Sequence, residues 1–498
     1  MTTYTRKAFY GFLWVGLGAV IANLFSYLLR LLLARSLSVE EYGLIYAVMA
    51  LFGLVSAFQH LGLGEALARF TSAYSVKREF PRIKEIVFWT ARVLYVSTLA
   101  LALLAFLLAD WLGAAYFKTP LAPALLRIFT LAFLLSPIDI ILLALLQGRQ
   151  RLDLHAVYTA VRSLVLFLAT WALLAAGVGL RSAMLAYLVA YALSYALFLP
   201  WFLRRAIPGF FSLRVRMRRS TLSMLFSYGL PVMLTSVAGT ILFYTDTLLI
   251  TLFSSLHEVG IYQAALPTAN ILMFFVAMLT TVLLPMVAEL HARRLRSIIS
   301  LAVEELYLYV FLFMLPFVIA TAAYPDLILN LLFGASFVVG ANILRALAIA
   351  VLFLALHAIN AATLSGMGRP KDNTKAVVIG AVCNLSVNLV LIPRYGGLGA
   401  AIGTLISAIV MFRISSRLIF RSLRVRLPVM AWSKALVASA LFSLLLMASR
   451  HILLGWNQYL KVVLVVGVGA LFYALVLVLL RVVTLEHIQD MRRRILFR

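Results

Sequence analysis

Residues 123–147 read PALLRIFTLAFLLSPIDIILLALLQ, and this segment decides the fold class. Its two charged residues are Arg127 and Asp139, and the rest is almost entirely apolar. The segment exceeds the roughly 20 residues that an α-helix needs to cross a bilayer. It also lacks the alternation of polar and apolar residues that is typical of a membrane barrel strand. The segment therefore predicts a transmembrane helix.

Comparable segments recur along the whole chain of 498 residues, which is 64% hydrophobic and 12% charged with a mean hydropathy of +1.05. Soluble domains are nearer half apolar and a quarter charged, so lipid must be the solvent here. The sequence predicts an all-α polytopic membrane protein with about fourteen transmembrane helices. The predicted spans are 9–34, 43–68, 86–109, 123–147, 157–177, 183–203, 222–252, 260–288, 301–323, 343–364, 376–394, 398–416, 431–450 and 460–482.

The net charge of +26 could indicate a nucleic-acid partner, but its distribution favours a membrane. When the loops are assigned to alternate sides, Lys and Arg favour one side by roughly four to one. This bias predicts that both termini are cytoplasmic in a multi-pass protein of the cell membrane. The basic runs 214–219 and 492–494 are expected to contact anionic lipid head groups, and no nucleic acid is expected to bind.

An internal repeat organises the chain. The segment SVEEYG at 38–43 recurs as SLHEVG at 255–260, 217 positions later. Three more pairs recur 218 positions apart: LRIFTLA at 126–132 with LRALAIA at 344–350, LQG at 146–148 with LSG at 364–366, and GLRSA at 179–183 with GLGAA at 397–401. The offset covers six spans, an even number, so the repeats enter the membrane in the same direction.

The repeat predicts two parallel six-helix lobes around a central cavity. The expected divisions are an N-lobe at 1–206, a C-lobe at 207–425, and two further helices with a basic cytoplasmic tail at 426–498.

Five segments carry a resemblance to a known family: RLLLARSLSVEEYG at 30–43, YGLP at 228–231, YTDTLLI at 244–250, EVGIY at 258–262, and NLSVNLVLIPRYGGLGAA at 384–401. The chain resembles the polysaccharide-repeat-unit (O-antigen type) flippases for lipid-linked oligosaccharides. These belong to the multidrug/oligosaccharidyl-lipid/polysaccharide exporter superfamily.

The resemblance implies a V-shaped cavity that opens alternately to each side of the membrane. It also implies a polyisoprenoid-(pyro)phosphate-linked glycan that moves from the cytoplasmic to the outer leaflet, with glycan-assembly enzymes as further partners. A charged, sugar-bearing head group is costly to place in hydrocarbon, whereas its polyprenyl tail is not. A lipid II flippase and a drug/cation antiporter of the same superfamily remain alternatives. The related antiporters carry an ion-binding acid in the first span, and residues 9–34 contain no Asp or Glu.

Charged residues inside predicted spans are candidate functional residues because each is costly unless it is paired or hydrated. Arg92 and Arg162 lie about 9–10 Å inside the cytoplasmic ends of their spans at the helical rise per residue. Together with Arg30, near the outer end of the first span, they are candidates for binding the anionic head group. The alternative for each is snorkelling to the membrane surface.

Three further residues are candidates for gating or coupling. Asp139 is the deepest acid, and its repeat equivalent is His357, so the two could form a proton-linked pair. A structural hydrogen bond to a neighbouring helix is the alternative. Asp246 lies at nearly the repeat-equivalent depth of Arg30, and their opposite charges predict a salt bridge that acts as an outer gate.

A membrane enzyme acting on the same lipid-linked sugars, such as a glycan polymerase or ligase, is a competing class. It would need acid–base or metal-binding groups in a sizeable external loop, and 324–342 offers Asp326 alone. The seven histidines are scattered, so no catalytic residue, metal site or cofactor is predicted. The one cysteine, Cys383, excludes an intrachain disulfide, and the first apolar stretch is expected to be a retained span.

Overall fold

The computed structural model of the chain describes residues 3–206, 217–452 and 458–482. Among these residues the regular structure is helical, which confirms the all-α class. Eleven of the described helices are long and apolar enough to cross a membrane, and shorter apolar helices occupy Phe243–Phe253 and Gly467–Leu479. The polytopic character is thus confirmed, while the count of fourteen stays a prediction. The basic run 492–494 and residues 214–216 of the run 214–219 lie outside the described residues.

The chain divides into two compact units, Met1–Gln263 (unit 1) and Ala264–Arg498 (unit 2). The helices of unit 1 are α1 (Thr3–Ser36), α2 (Val39–His60), α3 (Leu63–Val76), α4 (Phe80–Leu107), α5 (Ala109–Trp111), α6 (Ala122–Gly148), α7 (Leu152–Ala175), α8 (Ser182–Ala206) and α9 (Arg219–Phe253). The division falls within α10 (Leu256–Asn270). The predicted lobe boundaries at 206 and 425 stay predictions.

Unit 2 contains α11 (Met273–Ala292), α12 (Arg296–Ala323), α13 (Pro325–Leu332), α14 (Ala341–Gly366), α15 (Pro370–Ser422), α16 (Val429–Ile452) and α17 (Gln458–Leu479). The α14 helix packs against α11, α12 and α15. A kink divides α15 at Gly396, whose φ of 53° is left-handed and favours glycine. Its position between 376–394 and 398–416 agrees with two predicted spans.

The second predicted span is broken where α2 ends and α3 begins. Leu61 and Gly62 both adopt left-handed backbone angles there, with φ of 47° and 66°. A Cβ on Gly62 would lie 2.0 Å from the carbonyl oxygen of Gly229 on α9, so only glycine fits. Non-helical backbone at membrane depth is tolerated where protein or a cavity surrounds it. The break adjoins the cavity described below.

The repeated segments pack against each other within unit 1. A Cβ on Gly43 would lie 1.9 Å from Leu256 O and 2.8 Å from Gly260 N, while one on Gly260 would lie 2.3 Å from Val39 O. Glycine at both repeat-equivalent positions therefore lets the start of α2 meet the start of α10 backbone to backbone.

The same two segments also have similar side-chain caps at their helix starts, and an acidic residue of one contacts a histidine of the other. Ser38 and Glu41 form a capping box at the start of α2, and Ser255 Oγ accepts from the backbone N of Glu258 at 3.2 Å. Glu40 Oε1 lies 2.7 Å from His257 Nδ1. The repeat found in the sequence is thus a pseudosymmetric contact in the structure.

A buried carboxylate fixes the start of α9. Glu85, on α4, accepts hydrogen bonds from the backbone N of Arg218 and from Thr221 Oγ1, each at 2.8 Å. Its side chain is 4% exposed, so these bonds satisfy a carboxylate that has little water. The bonds hold the first turn of α9 against α4.

Candidate functional site

Unit 1 contains an open cavity of about 430 Å³, which we call the unit 1 cavity. Residues of α2, α3, α6, α8 and α9 line it. Its volume lies in the range of small-molecule sites, about 300–1,000 Å³. Aromatic rings form much of the wall: Phe52, Phe129, Phe133, Tyr187, Tyr191 and Tyr244.

Polar side chains interrupt this aromatic wall. They are Ser56, Gln59, His60, Glu65, Ser136, Asp139 and Gln147. Within the part of the chain that the structure describes, the residues lining the cavity include no Lys or Arg. The wall of the cavity is therefore neutral to acidic, although the chain as a whole is strongly basic.

Asp139 lines the cavity and carries a charge that Arg162 neutralises. Arg162 Nη1 lies 3.2 Å from Asp139 Oδ2, and the Tyr158 hydroxyl donates a short hydrogen bond to Asp139 Oδ1. The two charged side chains are 29% and 13% exposed. Removing one partner of such a pair would leave an uncompensated charge at membrane depth.

The pairing follows from the hairpin that α6 and α7 form. A connection of three residues at 149–151 joins the two helices. Asp139 lies about three turns before this connection and Arg162 about three turns after it, so the helical rise brings them to the same depth. Sequence analysis proposed Asp139 and Arg162 for separate roles, and the structure brings them together.

Arg162 also lines a second, smaller cavity of about 110 Å³, together with Ser26, Ser163, Tyr187 and Tyr191. Tyr187 and Tyr191 line both cavities. The Arg162 guanidinium lies 5.8 Å from the centre of the Tyr191 ring, within cation–π range. Its Nε atom is buried and has no hydrogen-bond partner among the described residues. The Nε–H of Arg162 is therefore a donor that none of the described residues accepts from.

Gln59, at the end of α2, has an unusual set of hydrogen bonds. Its Nε2 donates to Thr98 Oγ1 and to Ser136 Oγ, each at 2.7 Å. Both hydroxyls donate their own proton to a backbone carbonyl, Thr98 to Leu94 O at 2.5 Å and Ser136 to Phe133 O at 2.7 Å. Since each hydroxyl has one proton and lies within hydrogen-bond distance of a backbone carbonyl, the geometry favours the amide orientation in which Gln59 Nε2 donates to both hydroxyls. Gln59 Oε1 is buried and has no hydrogen-bond partner among the described residues.

Arg30 lies between repeat-equivalent residues. Its guanidinium is 4.3 Å from the centre of the Tyr46 ring. Its Nη1 donates to Gln263 Oε1 at 3.2 Å and to Gln263 O at 3.3 Å. Tyr46 and Gln263 are 217 positions apart, the offset of the repeat. These contacts hold Arg30 within protein, whereas a snorkelling residue would reach the surface.

Asp246 is bound to the same stretch of α10. The Tyr262 hydroxyl donates to Asp246 Oδ2 at 2.6 Å, and Gln263 Nε2 donates to the neighbouring Thr247 Oγ1 at 2.7 Å. Asp246 is 8% exposed. Residues 262 and 263 therefore connect the predicted gate residues, Arg30 on α1 and Asp246 on α9. The salt bridge between them stays a prediction.

His357 lies in unit 2 within a buried polar network. Its Nδ1 is 3.1 Å from Ser415 Oγ, and Asn360 Nδ2 donates to the same oxygen at 2.9 Å. The Tyr307 hydroxyl donates a short hydrogen bond to Asn360 Oδ1. This arrangement matches the structural hydrogen bond to a neighbouring helix that sequence analysis left open. Proton coupling between His357 and Asp139 stays a prediction.

Arg92 has a different environment from Arg162. Its side chain is exposed, and its guanidinium lies 5.7 Å from the centre of the Trp89 ring, one turn earlier on α4. It lines neither of the cavities described above. The structure therefore does not group the two arginines into one pocket of unit 1.

Three residues of the site are not among those that the sequence predicts: Gln59, Tyr158 and Gln263. Each is a polar residue within or beside an apolar span, where a buried hydrogen bond is expected. For Gln263 the repeat offers a signal, because it is the counterpart of Tyr46. Among the described residues no cluster of three His, Cys, Asp or Glu could hold a metal ion.

A family model described as polysaccharide biosynthesis protein matches residues 9–291, more than half of the chain. A second model, MatE, matches residues 231–390. The first match covers the residues of both cavities and of the Arg30 site.

Two archaeal relatives cover most of the chain. A membrane protein of Methanocaldococcus jannaschii is 28% identical over 82% of this chain and 83% of its own length. A probable low-salt glycan biosynthesis flippase of Haloferax volcanii is 22% identical over 92% of this chain and 94% of its own length.

Two solved structures share the fold. The lipid II flippase MurJ, in an inward closed conformation, matches with a TM-score of 0.75 at 15% identity, over 97% of this chain and 99% of its own. An inward-facing multidrug resistance MATE family transporter of the MOP superfamily matches with a TM-score of 0.65 at 14% identity, over 82% and 99%. Both are similar in architecture along almost their whole length.

Proposed function

The chain belongs to the polysaccharide biosynthesis protein family, and we propose that it is a flippase for lipid-linked glycans. The substrate would be an oligosaccharide on a polyisoprenoid phosphate or pyrophosphate, moved from the cytoplasmic to the outer leaflet. The resemblance to the glycan biosynthesis flippase of Haloferax volcanii supports this substrate class, as does the fold shared with a lipid II flippase.

One observation carries the proposal: a paired charge, and a cavity with several polar side chains in its wall, lie within helices that are apolar enough to cross a bilayer. Asp139 and Arg162 belong to α6 and α7, and both helices qualify as candidate spans. A membrane protein bears the cost of such groups where they serve a polar solute. A lipid-linked glycan is such a solute, because its head group is polar while its tail stays in lipid.

Arg162 is the residue best placed to bind the anionic head. A guanidinium binds phosphate through parallel N–H donors. Arg162 lines the smaller cavity, and its buried Nε has no hydrogen-bond partner among the described residues. Phosphate and Asp139 would compete for this guanidinium, so binding would weaken the Asp139–Arg162 pair. Arg92 and Arg30 would contribute positive potential along the path of the head group, and Asp139 would hold Arg162 in place between transport events.

Alternating access between two parallel lobes would complete the cycle. The internal repeat supports this arrangement, with lobes at 1–206 and 207–425 and both termini in the cytoplasm. Anionic lipids would contact the basic loops, and the glycan-assembly enzymes would supply and use the carried glycan.

A drug/cation antiporter of the same superfamily is the second candidate function. The MatE match at residues 231–390 favours it, and the absence of an acid from residues 9–34 argues against it. A transporter, rather than an enzyme, is in either case the class that the family and the fold support.

Reconstituted vesicles test the proposed function. Purified protein would be incorporated with a tail-labelled polyisoprenyl diphosphate that bears one N-acetylhexosamine, and an external lectin would report which leaflet holds the sugar. We expect protein-dependent movement of the sugar, together with co-purification of polyisoprenyl-linked glycans detected by mass spectrometry. If the vesicles move a lipophilic cation and not this lipid, the chain is an antiporter.

A further inference from the structure

We propose that the unit 1 cavity is a sugar-binding pocket, which receives a glycosyl unit of the substrate while its phosphate is bound elsewhere. The inference rests on the proposed flippase function and deepens it, since it assigns the two chemically different parts of the head group to different places.

The charges of the cavity separate it from a phosphate site. No Lys or Arg lines it among the described residues, and the carboxylate of Asp139 is already paired with Arg162. The second carboxylate, Glu65, is exposed. A phosphate placed here would meet acidic neighbours and no free cation, whereas a neutral, hydroxyl-rich ring would meet no charge penalty.

The shape and composition of the wall suit a pyranose ring. Such a ring has faces of C–H groups that pack on aromatic rings, and a rim of hydroxyls that need donors and acceptors. The cavity offers the rings of Phe129, Tyr187 and Tyr244 beside the polar groups of Ser56 and Ser136. Small-molecule sites are usually lined in this way, by apolar and aromatic side chains with a few polar groups among them.

Gln59 is the residue of the cavity whose hydrogen bonds most favour a sugar as the ligand. Its Nε2 donates to two hydroxyls that each also bond a backbone carbonyl, and its buried Oε1 has no hydrogen-bond partner among the described residues. A buried acceptor that lacks a partner is destabilising, and a donor that arrives with a ligand removes this cost. A sugar hydroxyl is a donor of that kind, whereas an ionised oxygen of the substrate's phosphate can only accept a hydrogen bond.

The break between α2 and α3 places this glutamine at the cavity. Gln59 lies in the last turn of α2, and Gly64 and Glu65 of the first turn of α3 line the same space. A continuous helix would have carried these residues to different faces. The left-handed angles at Leu61 and Gly62 therefore contribute to the pocket itself.

The test compares two tail-labelled lipids in the same vesicles: polyisoprenyl diphosphate with one N-acetylhexosamine, and the same diphosphate without sugar. Gln59→Leu removes the acceptor at similar volume, and Tyr244→Leu removes an aromatic wall. Each variant should slow movement of the sugar-bearing lipid about three- to tenfold, the worth of one neutral hydrogen bond or ring contact, and leave the sugar-free lipid unchanged. Free N-acetylglucosamine should compete with the sugar-bearing lipid in the wild type.

The outcomes separate this inference from the proposed function. If the wild-type protein moves neither lipid, the flippase function itself is wrong. Should both variants move the two lipids as the wild type does, or slow both lipids equally, the cavity does not bind sugar although the flippase function stands. If tetraphenylphosphonium protects the protein against thermal unfolding and the sugar does not, the cavity binds cations. Where Gln59→Leu fails to fold, Tyr244→Leu decides the question alone.

Discussion

Asp139 and Arg162 are the residues whose chemistry depends most on each other. Neither is exposed by more than about a third, and each would be an isolated charge at membrane depth without the other. Tyr158 satisfies the remaining oxygen of the carboxylate. We therefore regard the pair as one functional unit whose stability and transport effects can be separated.

The first prediction concerns this pair. Asp139→Asn or Arg162→Gln alone should lower the free energy of unfolding by up to about 3–5 kcal/mol, because one buried charge is left without its partner. The double variant should recover most of that loss and still transport poorly, since phosphate would find no guanidinium. Thermal unfolding in detergent and the vesicle assay measure the two effects.

Arg293 and Glu289 provide a matched control for the pair, because this ion pair is 67% and 63% exposed. Arg293→Gln should change the free energy of unfolding by less than about 1 kcal/mol. A double variant Asp139→Asn/Arg162→Gln that transports at the wild-type rate would assign the pair a structural role only.

The second prediction concerns Arg92, which is exposed and has no carboxylate partner in the ion pairs of the described residues. Arg92→Ala should slow glycan-lipid movement and leave stability unchanged, because the side chain contributes little packing. Arg92→Lys should keep part of the rate, since an ammonium retains the charge but not the planar geometry. Full transport by Arg92→Ala/Arg162→Ala in the vesicle assay would remove both arginines from substrate binding.

Much of this residue-level picture could be read from the sequence, and the limits have physical causes. Charges within apolar segments are visible in a sequence, so Asp139 and Arg162 were found. To predict their contact, one must also know that α6 and α7 form a hairpin. The two residues lie about equally far from its connection at 149–151, which places them at the same depth. The role of Gln59 could not be predicted from the sequence. Its Oε1 lacks a donor because its Nε2 bonds hydroxyls on two other helices, and no pattern in one sequence reveals such contacts.

At the scale of helices, the contact between repeated segments is the feature that packing controls most tightly. The backbones of α2 and α10 approach so closely at Gly43 and Gly260 that a single methyl group would overlap a backbone atom. Backbone atoms cannot turn aside as a flexible side chain can, so the helices themselves would have to move. Small residues are expected at such contacts, because they let the backbones of membrane helices approach each other closely.

The third prediction is that Gly43→Ala or Gly260→Ala lowers the free energy of unfolding by about 1–3 kcal/mol, the usual cost of overpacking. The control is Gly16→Ala on α1, where an added Cβ would meet nothing within 4 Å and helix propensity would improve. Thermal unfolding of the three variants in detergent measures the difference. Equal midpoints for Gly43→Ala and Gly16→Ala would show that the two segments separate without cost.

The positions of most helices could be predicted because long apolar segments are easy to recognise. The break at Leu61 and Gly62 could not, since a leucine and a glycine within an apolar run look like ordinary helix. Its cause is tertiary: α9 brings the Gly229 carbonyl oxygen to within 2.0 Å of the place where a Cβ on Gly62 would lie. The left-handed angle of Gly396 was equally hidden, although the apolar pattern on either side predicted two spans there.

At the scale of the whole molecule, charge and topology belong together. The net charge of +26 is concentrated in the loops of one side of the predicted topology, and the cavity of unit 1 stays free of Lys and Arg among the described residues. A basic surface can attract the anionic phosphate of a lipid head group. An acidic or neutral pocket is better suited to bind the neutral glycan attached to that phosphate. This separation fits a substrate with two chemically different ends.

The fourth prediction is the topology itself. Both termini and the loop around Gly209 should be cytoplasmic, because Lys and Arg favour that side by roughly four to one. Gly209 lies outside the described residues, so reporter fusions at this position give independent information. A reporter at Gly209 that is active outside the cell would invert the assignment of every loop.

The last prediction concerns the outer gate, which we propose to involve Arg30 and Asp246. Both residues are held by neighbouring positions of α10, Arg30 by Gln263 and Asp246 by Tyr262, so a small shift of α10 would act on both charges. A salt bridge made in one conformation only shifts the conformational equilibrium by its differential free energy. Arg30→Ala or Asp246→Ala should therefore favour outward-facing conformations and slow the cycle.

Exchanging the charges, with Arg30→Asp and Asp246→Arg together, should restore part of the inward-facing population, and Arg30→Cys with Asp246→Cys should crosslink in that state. If the cysteines never crosslink and the exchanged pair is no better than the single variants, Arg30 serves to hold α1 against α10 and the gate lies elsewhere.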